Sequence, residues 1–163
     1  MIEPVDLDDD RSTLVTLLEE YHAWMDEHAG EAYEPAAQRK TDIASLRREA
    51  DSWAWIASQD GEPAGCILLY GQTADLAEFK RLWVAPAYRG NGIGRALTRQ
   101  VVDEARAQGF GTLGLTTTPW STAAQALYES MGFERTGPYP DTRLPEQHHE
   151  KAIFMQLSLD GEA

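Results

Sequence analysis

The chain has 163 residues, 42% of them hydrophobic and 25% charged, a make-up that suits one folded domain with its own core and excludes a disordered tract. A net charge of -13 argues against a duplex nucleic-acid binder, which needs a basic face, and fits a cationic small molecule or basic peptide as partner. The lone cysteine, Cys66 in "GCILLY", rules out an internal disulfide and reads as a small buried apolar residue. No charged-then-apolar leader opens the sequence and no apolar run approaches membrane-spanning length, so a soluble cytoplasmic protein is expected.

"MIEPV" reads as a short first strand. In the following stretch Leu14, Leu17, Leu18, Tyr21, Trp24 and Met25 recur at helical spacing, with Asp8 to Asp10 supplying the cap and first-turn acids. "TDIASLRREA" predicts a shorter second helix. "SWAWIASQ" and "AGCILLYG", joined by "DGEP", predict a hairpin. "AEFKRLWVAP" predicts a third strand of this group, stopped by Pro86. From Gly92 to about Gln108 the pattern turns helical, and Ile93, Ala96, Leu97, Val101 and Ala105 share one face. "GTLGLTTT" is a strand, and "STAAQALYESM" a helix capped by Ser121. "FERTG" and "KAIFMQLSL" close the chain as strands around a long proline-containing loop, "PYPDTRLPEQHHE". The strand-helix-strand unit demands parallel pairing and the hairpins antiparallel pairing, so an α/β domain over 1–163 is predicted, with a mixed sheet and helices on both faces.

The stretch that asks for chemistry is "YRGNGIG" at 88–94, where three glycines alternate between a strand and a helix. A helix start exposes amides that have no intrahelical partner and carry the positive end of the helix dipole. Glycines let an anion approach them, so the stretch reads either as a phosphate cradle with Arg89 and Arg95 at its lip or as a plain tight turn. The surrounding stretch, 77–110, holds six cationic side chains against three acidic ones inside an acidic chain. The pattern fails the dinucleotide fingerprint: Gly90 and Gly92 are followed by Arg95, and Gly92 and Gly94 by Leu97, where a third glycine belongs. The mononucleotide P-loop is absent as well.

The wider segment "LWVAPAYRGNGIGRAL" resembles the acetyl-CoA-binding segment of the GCN5-related N-acetyltransferase (GNAT) superfamily. Arg89, Gly92 and Gly94 match its [R/Q]-x-x-G-x-[G/A] signature, Val84 and Pro86 its preceding V-x-P, and "STAAQALYESMGF" its fourth helix. The resemblance covers about Trp53 to Leu157. It implies a mostly antiparallel sheet of about seven strands, splayed between strands 4 and 5. It also implies an N-acetyltransferase that moves an acetyl group from acetyl-CoA to a primary amine by direct attack in a ternary complex. The diphosphate would rest on the amides of Arg89, Gly90, Asn91, Gly92, Ile93, Gly94 and Arg95, and the pantetheine arm would run beside Leu82, Trp83 and Val84, with Leu82 offering the oxyanion amide. Glu78 matches the family's strand-borne base and Tyr128 its proton donor. Ser121 stands where members commonly have a pantetheine-contacting Asn. Family members are often dimers.

Each role has a plainer alternative. Glu78 could be a surface carboxylate paired with Lys80 or Arg81, and Tyr128 a wall residue with its hydroxyl in water. A non-catalytic acyl-CoA-binding module on the same fold would need neither. The histidine pair His148 and His149 reads as a solvated loop with no metal, and His22 and His28 as surface bystanders. Tyr21, Trp24, Tyr33, Tyr139, Asp141 and Glu146 are candidates for lining an acceptor site, because aromatic rings with carboxylates suit a cation.

Overall fold

A computed structural model describes residues 1–9, 11–29, 51–142, 144 and 146–160. The predicted second helix and Tyr33 lie outside the described residues. The strands are β1 (Ile2–Pro4), β2 (Ser52–Gln59), β3 (Glu62–Gly71), β4 (Leu76–Val84), β5 (Thr112–Thr117), β6 (Glu134–Thr136) and β7 (Ile153–Ser158). The helices are α1 (Ser12–Ala29), α2 (Ile93–Ala107) and α3 (Thr122–Ser130), with 3₁₀ turns at Pro86–Tyr88 and Glu146–Lys151.

The strands form one seven-stranded sheet in the order β1-β2-β3-β4-β5-β7-β6. β1 and β2, β5 and β7, and β6 and β7 pair antiparallel. The parallel pair is β4 with β5, as the intervening helix requires. Its register runs Leu76–Glu78 against Thr112–Gly114 and ends there, although β4 continues to Val84 and β5 to Thr117. That early end is the predicted splay. The two outermost strands, β1 and β6, have three residues each; β1 ends on Pro4 and β6 is exposed throughout.

The chain divides into two compact units, Met1–Leu68 with Arg81–Thr98, and Leu69–Lys80 with Arg99–Ala163. In the first, the α1 stripe buries Leu14, Leu17, Leu18 and Met25, and β2 and β3 bury Ala54, Trp55, Ala57, Ala64, Cys66, Ile67 and Leu68. Each large apolar side chain removed from water contributes about 1.5–3 kcal/mol, which is what holds an 18-residue helix of modest amphipathicity in place. His22, expected on the surface, is buried with this stripe and meets Tyr21 edge-on at 5.3 Å. In the second unit, Phe79, Tyr128 and Phe133 form a triangle of edge-to-face rings 5.5–5.9 Å apart, beside the buried Leu113, Leu115, Phe154 and Met155.

The start of α1 corrects the expectation of first-turn acids, while Asp10 lies outside the described residues. The helix begins at Ser12 and has no acid in its first turn. Asp6 organises the approach instead: its carboxylate accepts the Asp8 N–H at 3.0 Å and its carbonyl the Asp9 N–H at 3.2 Å. The expectation that His148 and His149 lie in a solvated loop is corrected for His149. His149 lies within the loop's 3₁₀ turn, half-buried, with Nε2 2.8 Å from the Leu144 carbonyl and its ring edge-on to Phe154 at 5.2 Å.

Candidate active site

The glycine turn is built from main chain. After Val84, Pro86–Tyr88 makes one 3₁₀ turn in which the Tyr88 N–H donates to the Ala85 carbonyl at 2.9 Å and the Arg89 N–H to the Pro86 carbonyl at 3.4 Å. Gly90 and Gly92 follow with φ of 85° and 79°. This left-handed region costs a residue with a side chain about 1–2 kcal/mol, which is why the alternate positions are glycine. Crowding is not the reason, since a β-carbon at either would meet nothing within 4 Å. The first rung of α2 is Ala96 N–H to Gly92 O, 3.0 Å, so the amides of Ile93, Gly94 and Arg95 precede the ladder at the positive end of the helix dipole. Asn91 folds its side-chain amide back onto the Tyr88 carbonyl at 3.1 Å. Residues 89–92 and 95 are exposed, so an anion has access.

Arg89 departs from its predicted place at the lip of this cradle. Its guanidinium carbon lies 4.9 Å from the Trp24 ring centre and 5.1 Å from that of Trp83, and its Nε donates to the Val84 carbonyl at 2.9 Å. Partial burial beside the rings lowers its pKa from the ordinary value. Its backbone N–H is also engaged, on Pro86. The side chain thus packs against both indoles, whose ring centres lie 5.8 Å apart and tilted by 56°, and ties the turn to α1. Trp83 is itself buried, meets Tyr21 edge-on at 6.1 Å, and donates from Nε1 to Glu20 Oε2 at 3.3 Å. Arg95 stays exposed.

β4 changes character at Arg81, a buried non-glycine residue with φ of 61°. Its carbonyl faces the Cys66 thiol, 3.8 Å away, and its guanidinium lies 5.7 Å from the Tyr21 ring centre. Burial, reinforced by the Glu20 charge, pushes the Cys66 thiol up to about 12, so the expectation of an inert buried residue holds. Beyond Arg81, Leu82 and Val84 are half-buried on either side of Trp83.

Glu78 occupies the end of the β4–β5 pairing, opposite Gly114, and only 4% of it is exposed. That excludes the surface-carboxylate alternative. Its Oε2 accepts a hydrogen bond from Thr142 Oγ1 at 3.3 Å. Successive residues of a strand point to opposite faces, so Phe79 turns away from Glu78. Tyr128 meets Phe79 and is buried, not a wall residue in water. The two predicted catalytic side chains therefore belong to opposite faces of β4.

Ser121 sits at the N-cap position of α3, but its side chain makes no capping bond. The hydroxyl is engaged with Thr118 Oγ1 at 2.5 Å. Gln125 does the work at this helix start, donating to the Thr118 and Pro119 carbonyls at 2.9 and 3.2 Å, while its own oxygen accepts from Arg135 at 2.7 Å.

Of the acceptor candidates, Tyr21 and Trp24 are half-buried in the first unit, Asp141 and Glu146 are exposed in the second, and Tyr139 lies beside Gly114 and Glu78. Two residues beside Glu78 were not singled out from sequence, Thr142 and Gly114. Gly114 did carry a signal, because a glycine inside a strand marks a close approach. Among the described residues no three His, Cys, Asp or Glu gather as a metal site would require, and no helix is long and apolar enough to cross a membrane.

IAA acetyltransferase of Azospirillum brasilense is 32% identical over 130 residues, covering 79% of this chain and 82% of its own. N-acetylaspartate synthetase of Xenopus tropicalis is 31% identical over 125 residues, which is 72% of this chain but 46% of that relative, so the chain spans about half its length. The crystal structure of the ribosomal-protein-S18-alanine N-acetyltransferase from Escherichia coli aligns with a TM-score of 0.71 at 26% identity, over 100% of this chain and 97% of that one. The sequence model of the acetyltransferase (GNAT) family matches residues 14–133, and the chain belongs to that family.

Proposed function

We propose that the protein is an N-acetyltransferase that moves the acetyl group of acetyl-CoA to a primary amine of a small molecule or peptide. The observation that carries this reading is the exposed glycine turn ahead of α2, whose open amides fit a diphosphate. The pantetheine arm would lie along Leu82, Trp83 and Val84 in the manner of an added strand. The amine nitrogen attacks the thioester carbonyl carbon and the carbon–sulfur bond breaks. Glu78 takes the amine proton, the Leu82 amide steadies the oxyanion, and Tyr128 returns a proton to the departing thiolate. Family membership supports acetyl transfer. The names of the relatives, which include an IAA acetyltransferase and an N-acetylaspartate synthetase, support acceptors of more than one kind.

A purely acyl-CoA-binding module is the weaker reading, because burying a carboxylate is costly and a binder has no use for Glu78. The charge of -13 favours a cationic acceptor, and a chain whose one cysteine is a free, buried thiol suits the cytoplasm. The test is free-thiol release from acetyl-CoA across a panel of polyamines, amino acids, aminoglycosides and peptide N-termini. Release with at least one amine is expected. Acetyl-CoA at a hundred times its dissociation constant should also stabilise the fold by about 2.7 kcal/mol. No release with any amine, together with a melt that responds to NAD or ATP and not to acetyl-CoA, overturns the reading.

A further inference from the structure

The loop after β6 delivers two hydroxyls to the Glu78 carboxylate. Tyr139 and Thr142 bracket one tight turn, in which the Thr142 N–H donates to the Tyr139 carbonyl at 3.3 Å. Thr142 Oγ1 hydrogen-bonds Glu78 Oε2, and its other contact, accepting the Leu144 N–H at 3.2 Å, fixes the hydroxyl's direction. The Tyr139 ring is held edge-on by Phe154 of β7 at 5.5 Å.

The Tyr139 hydroxyl is buried against β5. A β-carbon on Gly114 would collide with Tyr139 Oη and come within 3.0 Å of its Cζ. Gly114 is the residue that β5 places opposite Glu78, so the missing side chain is a clearance that admits the phenol beside the carboxylate. The hydroxyl lies near enough to Glu78 and Thr142 for both to bear on its ionisation, without meeting the geometry of a hydrogen bond to either. Burial above all, then the Glu78 charge, raises its pKa, so it lies beside the carboxylate as a neutral phenol.

We propose that Tyr139 and Thr142 are positioning residues that orient the Glu78 carboxylate towards the acceptor amine, with Gly114 as the clearance that lets the phenol reach it. The inference rests on Glu78 being the base of the reaction proposed above. A glutamate on a strand has three rotatable bonds, and proton abstraction needs one oxygen aimed along one line. Neighbours that remove that freedom act on the reaction rate and leave binding of the thioester substrate untouched.

The test uses the full chain, acetyl-CoA and the best amine from the panel. Tyr139→Phe and Thr142→Val should each lower kcat by about ten- to a hundredfold, the loss typical of a misplaced catalytic group. KM for acetyl-CoA and the acetyl-CoA-induced melt shift should not change. Thr142→Ser keeps the hydroxyl and should restore most of the rate. Gly114→Ala should mimic Tyr139→Phe and add little in the Tyr139→Phe background. Should Gly114→Ala fail to fold, Tyr139→Phe and the Thr142 series decide. If Glu78→Gln abolishes turnover while Tyr139→Phe and Thr142→Val keep the wild-type kcat, the positioning role is wrong and the base assignment stands. If Glu78→Gln turns over like the wild type, the base assignment falls and takes this inference with it. A Thr142→Ser variant as slow as Thr142→Val also overturns it, because the hydroxyl would then not be what matters.

Discussion

In the proposed reaction the glycine turn and the Glu78 end of β4 would meet substrate in opposite ways. Around Gly90 and Gly92 the main chain would supply the donors, and the nearby side chains are engaged elsewhere: Arg89 against two indoles, Asn91 on the Tyr88 carbonyl. Around Glu78 the side chains supply everything, and the glycine opposite serves only to make room. A main-chain site tolerates side-chain change and is sensitive to backbone conformation. A side-chain site is sensitive to the loss of a single oxygen.

The sharpest way to break this comparison is at the base. Glu78→Gln keeps shape and burial but cannot take a proton, so kcat should fall about 10²- to 10⁴-fold with the acetyl-CoA-induced melt shift intact. A fall in that shift instead would mean that Glu78 serves binding. Next comes the backbone. Gly92→Ala forces a side chain into the left-handed region at a cost of about 1–2 kcal/mol, and the acetyl-CoA dissociation constant should rise up to tenfold or so as the turn relaxes. Titration calorimetry reads this directly, and an unchanged constant would show that the amides are not the grip. A smaller effect tests the Arg89 packing. A double-mutant cycle of Trp24→Leu and Arg89→Leu, read by urea unfolding, should show a coupling of about 0.5–2 kcal/mol, and Arg89→Lys should lose most of it because an ammonium has no flat face to lay against a ring. Zero coupling, or full rescue by lysine, would return Arg89 to the role of a simple positive charge.

The smallest effect lies away from both regions. Cys66 ionises near 9.0 when unfolded and near about 12 when folded. The folded state therefore holds its proton where the unfolded state releases it. The stability this preference contributes is complete below pH 9 and is lost as the pH climbs towards 12. Cys66→Ala should flatten that alkaline decline in a pH series of melts. The native thiol should not react with a thiol reagent at pH 8.

Local patterns gave the order of elements, because each strand and helix announces itself through spacing and a stop signal close by. "SWAWIASQ", the Ile93–Ala105 face and Pro86 are such cases. The glycine turn was legible for the same reason, since its chemistry is confined to consecutive residues. What escaped was set by distant partners. Arg89 looked like a phosphate ligand because nothing near it in sequence indicates that Trp24 and Trp83 offer two ring faces. Ser121 looked like a cap, but Thr118 competes for its hydroxyl. Glu78 stands out by its place in the motif as a candidate, whereas Thr142 lies far along the chain in a loop whose pattern says only that it is long and rich in proline.

The short outer strands bear on how the protein behaves when concentrated. A neighbouring molecule that tried to extend the sheet would find three residues at either border, one of them a proline without a hydrogen to give. Among the described residues, so brief a template at either border favours neither fibrils nor dimers zipped through the main chain of these two strands.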